Sequence, residues 1–173
     1  KRRLFTFGLA VSPWQTADYE KYPAIGRFEG EAFDPETWKP RAPTAAYIEM
    51  RADDAFWAAR RVMAFSDDLI RAIVKTGEYT DPAAEKYLGD VLIQRRDKIG
   101  RAYLAKINPV VDPTLDASGV LSFGNAAVQY GVTSAPRGYT AAWHTFDNAT
   151  AETRPLGQTT GAQSPMKAPA GLP

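Results

Sequence analysis

His144 is the single histidine of the 173-residue chain, and there is no cysteine. Those two counts remove a thiol nucleophile, a cysteine zinc site, a disulfide framework and any metal site built on paired histidines. His144 beside Trp143 could serve as a general base. A catalytic histidine, however, needs a nucleophile or an orienting carboxylate, and no motif supplies one, so a structural or solvent-facing role is expected. Glu29 and Glu31 would form an acid/base pair only if a groove brought them together. The doublets Asp53-Asp54 and Asp67-Asp68 could hold a cation, yet both stand at expected helix starts, where the free N–H groups and the dipole account for them. Asp112 and Asp116 lack the alternating oxygen ligands and terminal Glu of a calcium loop. Gly-x-Gly-x-x-Gly, the P-loop and Gly-x-Ser-x-Gly are absent. The cluster Arg95-Arg96-Asp97-Lys98 with Arg101 could meet phosphates, but a solvated helix face laced by pairs such as Asp97 with Arg101 is the plainer expectation. No catalytic residue, cofactor site or metal site is therefore expected.

Charge points to no polyanion. Twenty-one Lys and Arg against twenty Asp and Glu leave a formal charge of +1, so no strong field steers the chain to nucleic acid. No apolar run approaches the roughly 20 residues that span a bilayer, so no transmembrane segment is expected; peripheral membrane association is compatible with the sequence. The opening Lys1-Arg2-Arg3-Leu4-Phe5 lacks the apolar stretch and cleavage site of a signal peptide.

Proline divides the chain. Five prolines lie in the first 44 residues, one (Pro82) in residues 45–108, and seven from Pro109 onward. Proline lacks the N–H and clashes inside a helix, so long helices are confined to the middle. That section also holds eleven basic and ten acidic groups, against three and four in the longer section after it. Helix starts are expected at Asp53-Asp54, at Ser66-Asp67-Asp68 with a stop at Gly77, and at Asp81-Pro82, the last helix running to about Ile107. That last helix carries two apolar seams, one through Ala84, Leu88, Val91, Leu92, Ile99, Ala102 and Tyr103, the other through Ile93, Gly100 and Leu104. A wet wedge of Asp90, Gln94, Asp97, Lys98 and Arg101 completes it. A helix so patterned packs between two neighbours. Arg95 falls within the first seam, where it needs a carboxylate, backbone carbonyls or a route to solvent; it is the candidate buried ion pair.

The flanks are less regular. Residues 1–44 read as an irregular, proline- and aromatic-rich arm whose candidate anchors are Trp14, Tyr19, Tyr22, Phe28 and Trp38. These cover either the chain's own domain or a partner. Residues 109–156 read as a small mixed section: a turn at Asp116–Gly119, a strand at Val120–Phe123, a short helix at Asn125–Gly131, and a β-hairpin made by Tyr139–Phe146 and Thr150–Leu156. Residues 157–173 are expected to be a disordered or draped tail. The fold class expected is mainly α with a small β-containing C-terminal section (α+β), a three-helix core carrying long irregular arms.

Several segments carry a resemblance. Lys1 to Gln15, Tyr22-Pro23-Ala24-Ile25-Gly26-Arg27-Phe28-Glu29, Phe33-Asp34-Pro35, Trp38-Lys39-Pro40, Asp53 to Val62, Ser66 to Ile70, Arg95 to Ile99 and Phe146 to Thr150 form a specific set, covering nearly everything up to about Gly157. It resembles the C-terminal portion of a family of longer, uncharacterised bacterial secreted or periplasmic proteins with no assigned activity. Their upstream portion resembles an atypical kinase-like fold whose phosphate- and metal-binding segments precede the start of this chain. The resemblance implies a piece of something larger and a periplasmic or extracytoplasmic location. It carries no catalytic residue onto this sequence.

Three functions follow as expectations. The first and favoured is a non-catalytic structural or interaction module that packs on a larger protein or a multi-subunit, envelope-associated complex, with a protein partner or a larger parent chain. The second is the helical lobe of an atypical phosphotransferase with its catalytic groups in other sequence. The third is a stand-alone hydrolase-type enzyme using Glu29, Glu31 or His144.

Overall fold

The computed structural model describes residues 21–171, so Trp14 and Tyr19 lie outside the described residues. The chain divides into two compact units, Lys1–Ile107 and Asn108–Pro173.

In the first unit a short α1 (Ala45–Ile48) precedes α2 (Ala52–Met63), α3 (Asp67–Lys75) and α4 (Pro82–Tyr103). Local chemistry explains the starts. Asp54 stands at the third position of α2 and its carboxylate accepts from the Arg51 N–H at 3.0 Å, so the N-cap is Arg51 and the doublet lies inside the first turn. Ser66 Oγ accepts from the Leu69 N–H, and the Asp81 carboxylate from the Ala83 N–H with Pro82 in the first turn. Helix α4 ends at Tyr103, one turn before the expected Ile107.

Both α2 and α3 lie against α4. Met63 fills the notch at Gly100, where an added Cβ would fall 2.6 Å from the Met63 sulfur, so the close approach is made by a side chain. Among the described residues of this unit, Ala55, Phe56, Ala59, Ile70, Val74, Ala84, Val91 and Leu104 are the buried apolar ones, three of them alanines.

The second unit is β-rich. Strands β1 (Val110–Leu115), β2 (Val120–Asn125) and β5 (Met166–Lys167) form an antiparallel sheet in the order β1-β2-β5, while β3 (Tyr139–Phe146) and β4 (Thr153–Gly161) form a two-stranded antiparallel sheet. A four-residue helix α5 (Ala126–Gln129) follows β2, capped by Asn125, whose side chain accepts from the Val128 N–H. Asn125 also donates to the Tyr139 hydroxyl at 3.0 Å, and the Phe123 and Tyr139 rings meet edge-to-face at 4.8 Å, which ties the two sheets together.

With 34% helix, 21% strand and two antiparallel sheets, the fold is mixed α/β, and the expectation of a mainly α chain with a small β section is corrected. Two causes account for the missed strands. In β1, Asp112-Pro113 reads as a breaker. Asp112 takes a positive φ of 51° at a register shift, and Pro113, which cannot donate, sits on a strand with one neighbour. In β4 the stretch Gly157–Gly161 has too little apolar content to announce a strand, yet Tyr139 to Trp143 pair with Gly161 to Gly157. Those residues, and Met166-Lys167 paired with Leu121 and Val120, belong to the section expected as a loose tail.

Candidate interaction site

A row of side chains on α4 holds the irregular segment from Lys21 to Pro35. Tyr87 meets Tyr22 with ring centroids 5.0 Å apart, and Lys21 Nζ lies 5.9 Å from each ring. One turn or two further on, the Arg95 guanidinium lies 4.0 Å from the Phe28 ring centre and 4.8 Å from that of Phe33. Its Nε donates to the Glu29 carbonyl oxygen at 2.7 Å, and Nη2 donates to the same oxygen. Burial lowers the Arg95 pKa from its ordinary value, and the nearby Glu29 charge opposes that shift. Of the partners open to Arg95, a carboxylate, backbone carbonyls or solvent, the structure supplies a backbone carbonyl, so the candidate buried ion pair is replaced by a charge-to-carbonyl hydrogen bond.

Lys98 Nζ donates to three carbonyl oxygens, of Gly30, Glu31 and Phe33, at 2.8, 2.7 and 2.9 Å. Three ammonium donors meeting three acceptors fix the chain's bend here. Gly30 is buried against Gln94, whose Oε1 would stand 1.8 Å from an added Cβ. Gln94 and Lys98, expected on the wet wedge, therefore face residues 29–33. Farther along, the Tyr103 hydroxyl donates to the Pro35 carbonyl at 2.7 Å, and Lys106 pairs with Glu36. Burial raises the Tyr103 pKa against the pull of Lys106, while the hydrogen bond donated to Glu36 raises that of Lys106.

Of the candidate anchors among the described residues, Tyr22 and Phe28 are half-buried within this unit, whereas Trp38 is 51% exposed. The Trp38 ring meets Tyr47 edge-on at 6.1 Å, and the Tyr47 hydroxyl donates to the Trp38 carbonyl.

A second surface was not foreseen. Ile70 and Val74 of α3 point into the core, but Leu69 and Ile73, one residue earlier in each turn, are 46% and 48% exposed. With Phe65, Val62, Leu92, Ile99 and Phe33, Ile70 and Ile73 line an open apolar groove of about 450 Å³. The signal was present in Leu69-Ile70-x-x-Ile73-Val74, two adjacent apolar rows where one suffices for a core. Arg96 closes one side. It donates to Asp67 and Asp97 at 2.7 Å and to the Phe65 carbonyl at 2.7 Å. Burial works against its charge, but the hydrogen bonds it donates to Asp97 and Asp67 outweigh this and raise its pKa. Arg96 and Asp97 thus belong to a network that joins α3 to α4 rather than to a solvated face.

The residues weighed for chemistry are dispersed. The Glu29 carboxylate accepts from the Ala32 N–H at 2.9 Å, and Glu31 uses its carbonyl for Lys98. His144 is exposed on β3 opposite Pro155. Asp53 pairs with Arg51, and Asp67 with Arg96. Among the described residues no group of three or more His, Asp or Glu could hold a metal ion, and no helix is long and apolar enough to cross a membrane. No protein-family model, curated protein or solved structure matches the chain.

Proposed function

We propose that the chain is a non-catalytic structural and interaction module that packs on a larger protein or a multi-subunit complex. One observation carries this reading: the large apolar side chains of Phe65, just before α3, and of Leu69 and Ile73 on α3 are 44–48% exposed, and Phe65 and Ile73 line the open apolar groove. An exposed apolar groove of that kind is the usual mark of a partner's seat. The resemblance adds an extracytoplasmic, envelope-associated setting to the proposal. Copurification of the tagged chain from its native cell tests it. The wild-type chain is expected to bring down a defined partner, and Leu69→Asp with Ile73→Asp to lose it while keeping the wild-type circular dichroism. Recovery of both forms alone, at the mass of the chain, overturns the reading.

A further inference from the structure

The segment held on α4 encloses a cup of about 680 Å³, within the size range of small-molecule sites. Four cations line it, Arg27, Lys39, Arg41 and Arg95, against two carboxylates. Both carboxylates accept hydrogen bonds from the segment's own groups. Asp34 accepts from the Glu36 N–H at 3.0 Å and the Thr37 hydroxyl at 2.8 Å, and Glu29 accepts from the Ala32 N–H. The Thr37 and Glu36 hydrogen bonds hold the Asp34 pKa below its ordinary value. Lys39 and Arg41 are exposed and form no ion pair or hydrogen bond among the described residues. The charges of Lys39 and Arg41 therefore face the open cup, and the half-exposed Trp38 side chain, which meets Tyr47 edge-on, forms part of its wall.

We propose that this cup binds a small phosphate-bearing molecule whose ring lies on Trp38. Guanidinium groups match a phosphate's oxygens two at a time, and an indole offers a face to a ring. The site is independent of the apolar groove and of the partner proposed for it.

The test follows the Trp38 indole N–H resonance of the ¹⁵N-labelled full chain, assigned with Trp38→Phe, during titration with inorganic phosphate and with phenyl phosphate at constant ionic strength. Both are expected to give saturable shifts, phenyl phosphate binding about fivefold more tightly through stacking. Lys39→Ala with Arg41→Ala is expected to weaken both by about tenfold or more. These two positions are exposed, so the double variant folds as the wild type does. Absence of a saturable shift, a shift reproduced by sodium chloride, or wild-type affinity in the double variant overturns the site. Equal affinity for the two phosphates overturns the ring-bearing ligand.

Discussion

Arg95 reaches 66 residues back along the chain to the carbonyl oxygen of Glu29, donating from Nε at 2.7 Å while its guanidinium plane is flanked by Phe28 and Phe33. This one side chain satisfies a backbone acceptor in a segment with no helix or strand of its own, and covers two aromatic rings as it does so. The irregular segment is ordered by α4 rather than by its own ladder.

Arg95→Ala is accordingly expected to lower stability by about 2 kcal/mol, the size of a lost charge-assisted hydrogen bond. Arg95→Lys should recover only part of it, because an ammonium cannot both stack and fork. Urea unfolding measures both. An Arg95→Ala midpoint equal to wild type would mean that the segment is not held there.

Arg96→Ala removes the two contacts, to Asp67 and to the Phe65 carbonyl, that join α3 and the α2–α3 connection to α4, and a loss of about 2 kcal/mol is expected with little change in pH dependence below 9, since the guanidinium stays charged there. The same urea titration checks it, repeated at pH 6 and pH 9.

Asp90 accepts from Lys86 and Arg71 at 2.6 and 2.8 Å, and those two hydrogen bonds hold its pKa below the ordinary 3.8. A depressed carboxylate pKa contributes stability above the unfolded value, and that contribution is lost as pH falls through the folded one. The Asp90→Asn deficit should therefore be full at neutral pH, amount to less than about 1 kcal/mol because the pair is half exposed, and close in strong acid. Thermal unfolding from pH 7 down to about pH 2 measures it; a deficit independent of pH would contradict the assignment.

Ser66, Asp81 and Pro82 were readable as helix starts because capping is local chemistry, and the aromatic and threonine alternation of Tyr139–Phe146 marked β3 for the same reason. Gly157–Gly161 was not readable as strand, since its pairing is supplied by β3 and not by its own residues. Arg95 stood out in sequence as a charge in an apolar seam, and the structure gives it a carbonyl partner. Gln94 and Lys98 looked solvent-bound because helical projection cannot see a proline-rich segment arriving from far back in the chain. The Leu69 and Ile73 row was written in the sequence and could have been recognised as surplus to the core.

Ending the chain after Leu156 should abolish the sheet structure of the second unit, because β3 loses the partners of Tyr139 to Trp143 and β2 loses β5. Amide exchange of Thr140 and Ala142 reports it. Retained protection in the shortened chain would show that β3 is ordered without the second half of β4.

The interaction proposal is tested most directly by a photoreactive amino acid placed at Ile73 in the native cell, with Glu85 on α4 as the control. The account predicts a discrete adduct with one protein from Ile73, suppressed by Leu69→Asp, and none from Glu85. The absence of any adduct from Ile73, in cells where the chain is folded and abundant, would contradict it.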